Sequence, residues 1–133
     1  MAQRLESIGS GTAAAGVVVS TRERDGVVVI DLSGKLMGGP ESDPLRETFR
    51  RLTEQGARRV IVSLRMVPWM NSSGLGVLLA AFIQMKKQGG EIKFSGLQDR
   101  VRAILTTTKL LTMIEAWQDE EAALRSFPPR RDA

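Results

Sequence analysis

Met70-Asn71-Ser72-Ser73-Gly74-Leu75-Gly76 is the stretch on which the reading of this chain turns. Before it stands a nearly continuous apolar run, Val60, Ile61, Val62 and Leu64, with the length and β-branched content of a buried strand. After it, Val77 to Met85 is apolar and long enough for a helix. The two serines therefore fall where a strand gives way to a helix. A helix start presents unpaired backbone N–H groups and the positive end of a dipole. A serine hydroxyl there can cap the helix, and a phosphate carried by the same serine would be stabilised. Local chemistry leaves both readings open, an ordinary cap and a modifiable serine.

Outward from the motif, the chain alternates strands and helices. Val17 to Ser20 and Val27 to Leu32 are β-rich runs separated by Thr21 to Gly26, and Asp25-Gly26 signals a hairpin turn. Ser33 to Pro40 is a loop, because Gly38-Gly39-Pro40 forbids regular structure. Ser42 is the expected N-cap of a helix carrying Leu45, Phe49 and Leu52 and ending at Gly56. The motif helix is expected from Ser73 to about Gln88, then a strand over Glu91–Phe94 and a helix from Gln98 to near Thr108. Met113 to Trp117 reads as a short edge strand or a packed loop, and Asp119 to Phe127 as a last helix stopped by Pro128-Pro129. Residues 1–16 and 128–133 read as tails around a single domain over 17–127. Strands joined through helices should run parallel, with the hairpin adding an antiparallel edge. The fold class is α/β, a mixed four- to five-stranded sheet with about four helices.

Composition narrows the chemistry. The 133 residues are 42% hydrophobic and 26% charged, as in an ordinary globular domain. Cysteine, histidine and tyrosine are absent, which removes disulfides, thiolate metal sites, the usual general base and the commonest zinc ligand. The carboxylates sit at helix starts (Glu41, Asp43, Asp99, Asp119 to Glu121), where the dipole favours them, and do not pair as acid and base. The chain therefore reads as a non-enzyme without a cofactor or metal. The net charge of +4 is spread over the sequence without interleaved aromatic residues, which argues against nucleic-acid binding and suits an acidic protein partner. No stretch is long enough to insert in a membrane and no signal peptide opens the chain, so a cytoplasmic protein is expected.

With these elements in order, the chain resembles the STAS domain family, the sulfate-transporter and anti-sigma-factor-antagonist domains. Met70 to Gly76 is similar to the family's Asp-Ser-Ser-Gly-x-Gly segment between the third strand and the second helix. Val28 to Gly34 with Lys35-Leu36 resembles the strand that ends in a Gly-x-Leu-Asp loop, and Glu91 to Leu97 resembles the fourth strand. The segment Val101 to Leu105, followed by Leu110-Leu111, resembles the helix and turn that come next. The resemblance implies a bacterial anti-sigma factor antagonist. It binds an anti-sigma factor that is also a serine kinase, frees the sigma factor, and is released when that kinase phosphorylates the first serine; a phosphatase restores binding. The matching residue is Ser72. Two positions depart from the pattern: Asn71 stands for the aspartate before the serine, and Met37 for the aspartate after Gly-x-Leu.

On this reading Ser72 is phosphoacceptor or simple cap, and Ser73 the structural N-cap or a first-turn residue. Gly74 and Gly76 either keep the first turn open to a partner or pack closely against the neighbouring loop. Trp69 and Met70 are partner anchors or fill the end of the core, and Met37 with Gly38 and Gly39 forms the adjoining loop of the same surface. Trp117 reads as core. The apolar breadth of the helix over 75–85 leaves room for a weak homodimer. An alternative with the same fold is an accessory subunit of a membrane lipid-transport ATPase, or a protein-binding adaptor that is never phosphorylated.

Overall fold

The structure, a computed structural model, describes residues 16–128. Nearly all of the expected N-terminal tail, and residues 129–133 of the C-terminal one, lie outside the described residues. The elements run β1 (Val18–Arg24), β2 (Val27–Ser33), α1 (Asp43–Glu54), β3 (Arg59–Met66), α2 (Ser72–Lys87), β4 (Glu91–Ser95), α3 (Asp99–Thr107), β5 (Glu115–Trp117) and α4 (Glu120–Arg125). The five strands form one sheet in chain order. β1 pairs antiparallel with β2, and the later pairs are parallel, with Ile30 beside Val62 and Val62 beside Phe94. The expected mixed sheet has five strands, and β5 is the short edge strand.

The hairpin is longer than its apolar residues suggest. β1 continues through Arg22 and Arg24 to a two-residue turn, Asp25-Gly26, in which both residues have positive φ. That turn geometry matches the twist of the flanking strands. The two arginines remain in the strand because α4 supplies their counter-charges. Arg22 binds Asp31 at 2.7 Å and Glu120 at 2.6 Å, while Arg24 binds Glu120 at 2.6 Å and Glu121 at 2.6 Å.

Two apolar layers sandwich the sheet. On one face α1, α2 and α3 bring Leu45, Phe49, Leu78, Phe82, Val101 and Leu105 against Ile30, Val60, Val62 and Phe94. On the other face α4 lays Ala123 and Phe127 over Val27, Val29 and Ile61, with Trp117 packed alongside. Burial on both faces is why β3 reads as a nearly continuous apolar run, with Ser63 buried among Val60, Ile61, Val62 and Leu64. Lys93 also points into the second layer. It is 4% exposed, its Nζ donates to Glu115 Oε1 at 2.7 Å, and it lies 4.6 Å from the Phe127 ring centroid. An ammonium over an aromatic face, with a carboxylate at its tip, is a tolerable way to bury lysine. The same hydrogen bond holds the Glu115 carboxyl below its ordinary pKa.

The helix ends follow from local chemistry. α4 is capped by Asp119, whose Oδ1 accepts from the Ala122 N–H at 2.9 Å. α1 is preceded by a 3-10 turn over Pro40–Ser42, and Ser42 does not cap it through its side chain. Ser42 is buried, and its Oγ accepts from the Gly38 N–H at 3.1 Å, so it clasps the preceding loop instead. Among the described residues no helix is long and apolar enough to cross a membrane.

The Glu120 cluster gives a pH signature. Hydrogen bonds from Arg22 first, and then from Arg24, outweigh partial burial and depress the Glu120 carboxyl from 4.5 to about 2. A depressed carboxylate adds stability above its unfolded pKa and loses it as pH falls towards the folded value. Glu120→Gln should therefore lower stability at neutral pH by roughly 1 kcal/mol, the upper range for a solvent-facing network. Its deficit against the parent should shrink between pH 4.5 and about 2 in urea unfolding curves. A deficit constant across that window would contradict the assignment.

Candidate functional site

The loop after β2 runs beside the chain that leads into α2. Gly34 N–H donates to Met66 O and Leu36 N–H to Trp69 O, each at 3.0 Å, and Asn71 N–H returns a bond to Leu36 O at 3.2 Å. Leu36 and Met70 form an isolated parallel bridge. The sheet thus extends by one rung past the named strands, and Leu36 and Met70 are both fully buried beneath it.

This rung sets the start of α2. The Leu36 carbonyl lies so close to Gly74 that a Cβ there would overlap its oxygen. Gly38, at φ +86°, lies against Ser73, and a Cβ on it would come within 2.5 Å of the Ser73 Cβ. The loop therefore rests directly on the first turn of the helix. Gly76 is different: nothing lies within 4 Å of a Cβ built on it, and it is exposed. Of the two readings for these glycines, close packing holds for Gly74 and open space for Gly76.

The cap is neither serine. Asn71 is the N-cap, and its Oδ1 accepts from the Gly74 N–H at 2.8 Å. Its carbonyl accepts from the Leu75 N–H at 2.9 Å. Ser72 and Ser73 are the first two residues of the helix, and both are exposed. Ser73 is thus a first-turn residue. Of the N–H groups that a helix start leaves over, those of Asn71 and Gly74 go to Leu36 O and Asn71 Oδ1, and neither acceptor takes those of Ser72 and Ser73. An amide at 71 makes the bond that a carboxylate would make there, without the charge.

The remaining sequence candidates divide by exposure. Trp69 is 37% exposed and Met66 52%, so the segment leading to the serines carries two large apolar side chains at the surface. Met70 is 0% exposed and is a core residue with nothing to offer a partner. Met37, Gly38 and Gly39 are half-buried in the loop against Ser73. Trp117, read as core, is half-buried against the second layer. Sequence reasoning missed Arg46. Its Nη2 donates to Gly38 O at 2.7 Å, and its Nη1 to Gly39 O at 3.2 Å and Asp43 Oδ1 at 2.8 Å. The guanidinium fork thereby ties the loop to α1. An exposed arginine at a helix start carries no sequence signal for such a role.

The description of the STAS domain matches residues 18–123. This chain belongs to the STAS domain family. It is 31% identical over 108 residues to the anti-sigma-B factor antagonist of Bacillus subtilis, covering 80% of this chain and 96% of that protein. A crystal structure of a putative anti-sigma factor antagonist from Thermotoga maritima superposes with a TM-score of 0.75 at 18% identity, over 80% of this chain and 92% of that one. The Bacillus cell fate determinant SpoIIAA, solved in its phosphorylated form, superposes with a TM-score of 0.63 at 22% identity, over 80% of this chain and 97% of that one. Within the STAS domain described above, the Asn71 cap, the two exposed serines and the Gly38 loop form one continuous surface.

The packing separates the roles of these residues in stability. Gly74→Ala should destabilise by roughly 3 kcal/mol, because the Leu36 carbonyl is held in the sheet and cannot retreat. Asn71→Ala should cost about 1 kcal/mol and Asn71→Asp much less, since only the first loses the cap acceptor. Ser73→Ala should stay within about 0.5 kcal/mol, and Gly76→Ala should stabilise by about 0.5–1 kcal/mol. Chemical denaturation of the five variants measures the order, and a Ser73→Ala loss matching that of Asn71→Ala would contradict the cap assignment.

Proposed function

We propose that this STAS domain is an anti-sigma factor antagonist. In this reading the surface around Ser72 binds an anti-sigma factor of the serine-kinase class and so frees a sigma factor. Phosphorylation of Ser72 by that kinase breaks the complex, and a phosphatase restores it. The domain acts by binding, in the cytoplasm, with no turnover and no cofactor of its own.

The observation that carries the reading is Ser72, exposed at the first position of α2 while Asn71 holds the cap. Its hydroxyl is not required to hold the helix start. A phosphate there would add about −1.5 to −2 charges beside the first-turn N–H groups at the positive end of a helix. The domain would tolerate that charge. A partner packed over Ser72, Ser73, Gly38 and the exposed edge of Trp69 would have to bury or repel it. The name of the Bacillus subtilis relative, matched over nearly its whole length, supports the same role.

A second reading keeps the surface and removes the switch. Met37 and Asn71 place no carboxylate in the loop or the cap beside Ser72, which suits an adaptor that binds without being phosphorylated, such as an accessory subunit of a lipid-transport ATPase. Incubation with the partner kinase and ATP, followed by peptide mapping of residues 60–90, separates the two. Phosphate on Ser72 is the expected result, and persistent binding without incorporation would leave the adaptor. Ser72→Ala should bind as the parent does and take up no phosphate. Ser72→Asp should fold and lose on the order of 10- to 100-fold in affinity.

A further inference from the structure

Helices α1 and α2 run side by side on the sheet and leave a groove of about 480 Å³ between them. Its apolar lining is the buried Phe49 of α1 and Val77 of α2, with Ala81 half-buried and Ala80 at the exposed rim. The volume falls within the range of small-molecule sites, roughly 300–1,000 Å³. From Arg46 to Glu54 the groove follows α1 for about 12 Å, at ~1.5 Å per residue. On the α2 side the small residues Ala80 and Ala81 leave a path for an alkyl chain, with Gln84 also lining the groove.

The two ends differ electrostatically. At the far end the Glu54 carboxylate is held by Arg50 at 2.6 Å, and Arg50 also takes Glu47. At the near end Arg46 is paired with one carboxylate, Asp43, and directs its other bonds to two neutral carbonyls, Gly38 O and Gly39 O. A ligand carboxylate would offer Arg46 an ionised acceptor in place of a neutral one, and such bonds are about twice as strong. Both helices also begin at that end, so their dipoles favour negative charge there.

We propose that this groove binds an amphiphilic carboxylate, a free fatty acid of medium chain length. Its tail lies on Phe49, Val77, Ala80 and Ala81, and its headgroup takes Arg46 from the Gly38 loop. The site is separate from Ser72 and does not depend on the phosphorylation reading. Its occupation would loosen the loop that rests on Ser73.

The test is titration of the full chain with decanoate below its micelle-forming concentration, followed by amide NMR and calorimetry. Saturable shifts at Val77, Ala80 and Ala81 are expected, together with a shift of the Gly39 amide, whose peptide carries the Gly38 carbonyl that Arg46 releases. Arg46→Gln should bind about tenfold more weakly, the loss of one charged hydrogen bond. Ala80→Trp, a substitution at an exposed helix position, should block the groove without unfolding the chain. Absence of saturable binding, or equal binding of decanol, would overturn the proposal, since the latter marks a generic apolar seat such as a partner's side chain would use. Undiminished binding by Ala80→Trp, or an unchanged Gly39 amide at saturation, would also overturn it.

Discussion

The close approach of the Leu36 carbonyl to Gly74 is the constraint from which the rest of this surface follows. One oxygen accepts the Asn71 N–H and also abuts the first turn of α2. A side chain at 74 would push the loop and the helix apart and break the rung that joins β2 to the segment after β3. With glycine there, the loop settles on Ser73, Asn71 turns inwards as the cap, and the two serines have only the outside left to them. The exposure of Ser72 is thus a consequence of packing beneath it. That foundation is rigid: Leu36 and Met70 are fully buried, and Ser42 and Arg46 hold the loop from the side of α1.

The replacement of an acidic residue by Asn71 changes the electrostatics and leaves the geometry alone. An amide oxygen and a carboxylate oxygen accept the Gly74 N–H equally well, so the helix start needs only an acceptor. What differs is a unit of charge next to Ser72. A carboxylate would repel a phosphate on the neighbouring residue, while an amide leaves the helix dipole and the first-turn N–H groups unopposed. The domain's own contribution to holding a phosphate is therefore larger with asparagine. The contribution that an acidic side chain would make to a partner's cationic groups is smaller.

Most of the fold was legible because its signals are periodic or local. The apolar run of β3, the i, i+3, i+4 pattern of Leu45, Phe49 and Leu52, and the Asp25-Gly26 turn each announce one element. The family motif then located the serines. The errors lie where a side chain's partner comes from elsewhere in the chain. Ser42 is a good cap by residue type, yet Gly38 claims its hydroxyl, while for Ser73 the first-turn alternative holds because Asn71 takes the cap. Met70 adjoins an exposed tryptophan in sequence, but its bridge to Leu36 points it into the core. Lys93 looks like a solvent-facing strand residue, and only the arrival of Phe127 and Glu115 from the end of the chain explains its burial. Arg46 was invisible for the same reason.

The ion-pair cluster on β1 also bears on how the sheet is guarded against adding a foreign strand while it folds. Among the described residues the sheet has two edges, and an uncovered edge is a template on which another chain can add a strand. β5 limits its edge by being three residues long. β1 has seven, enough to recruit a neighbour, but it carries Arg22 and Arg24 fixed in place by Asp31, Glu120 and Glu121. An incoming strand would meet ordered charge along the rim, and the guard is complete only once α4 has docked. Among the described elements, the helix latest in chain order is therefore the one that finishes protecting the earliest strand against aggregation.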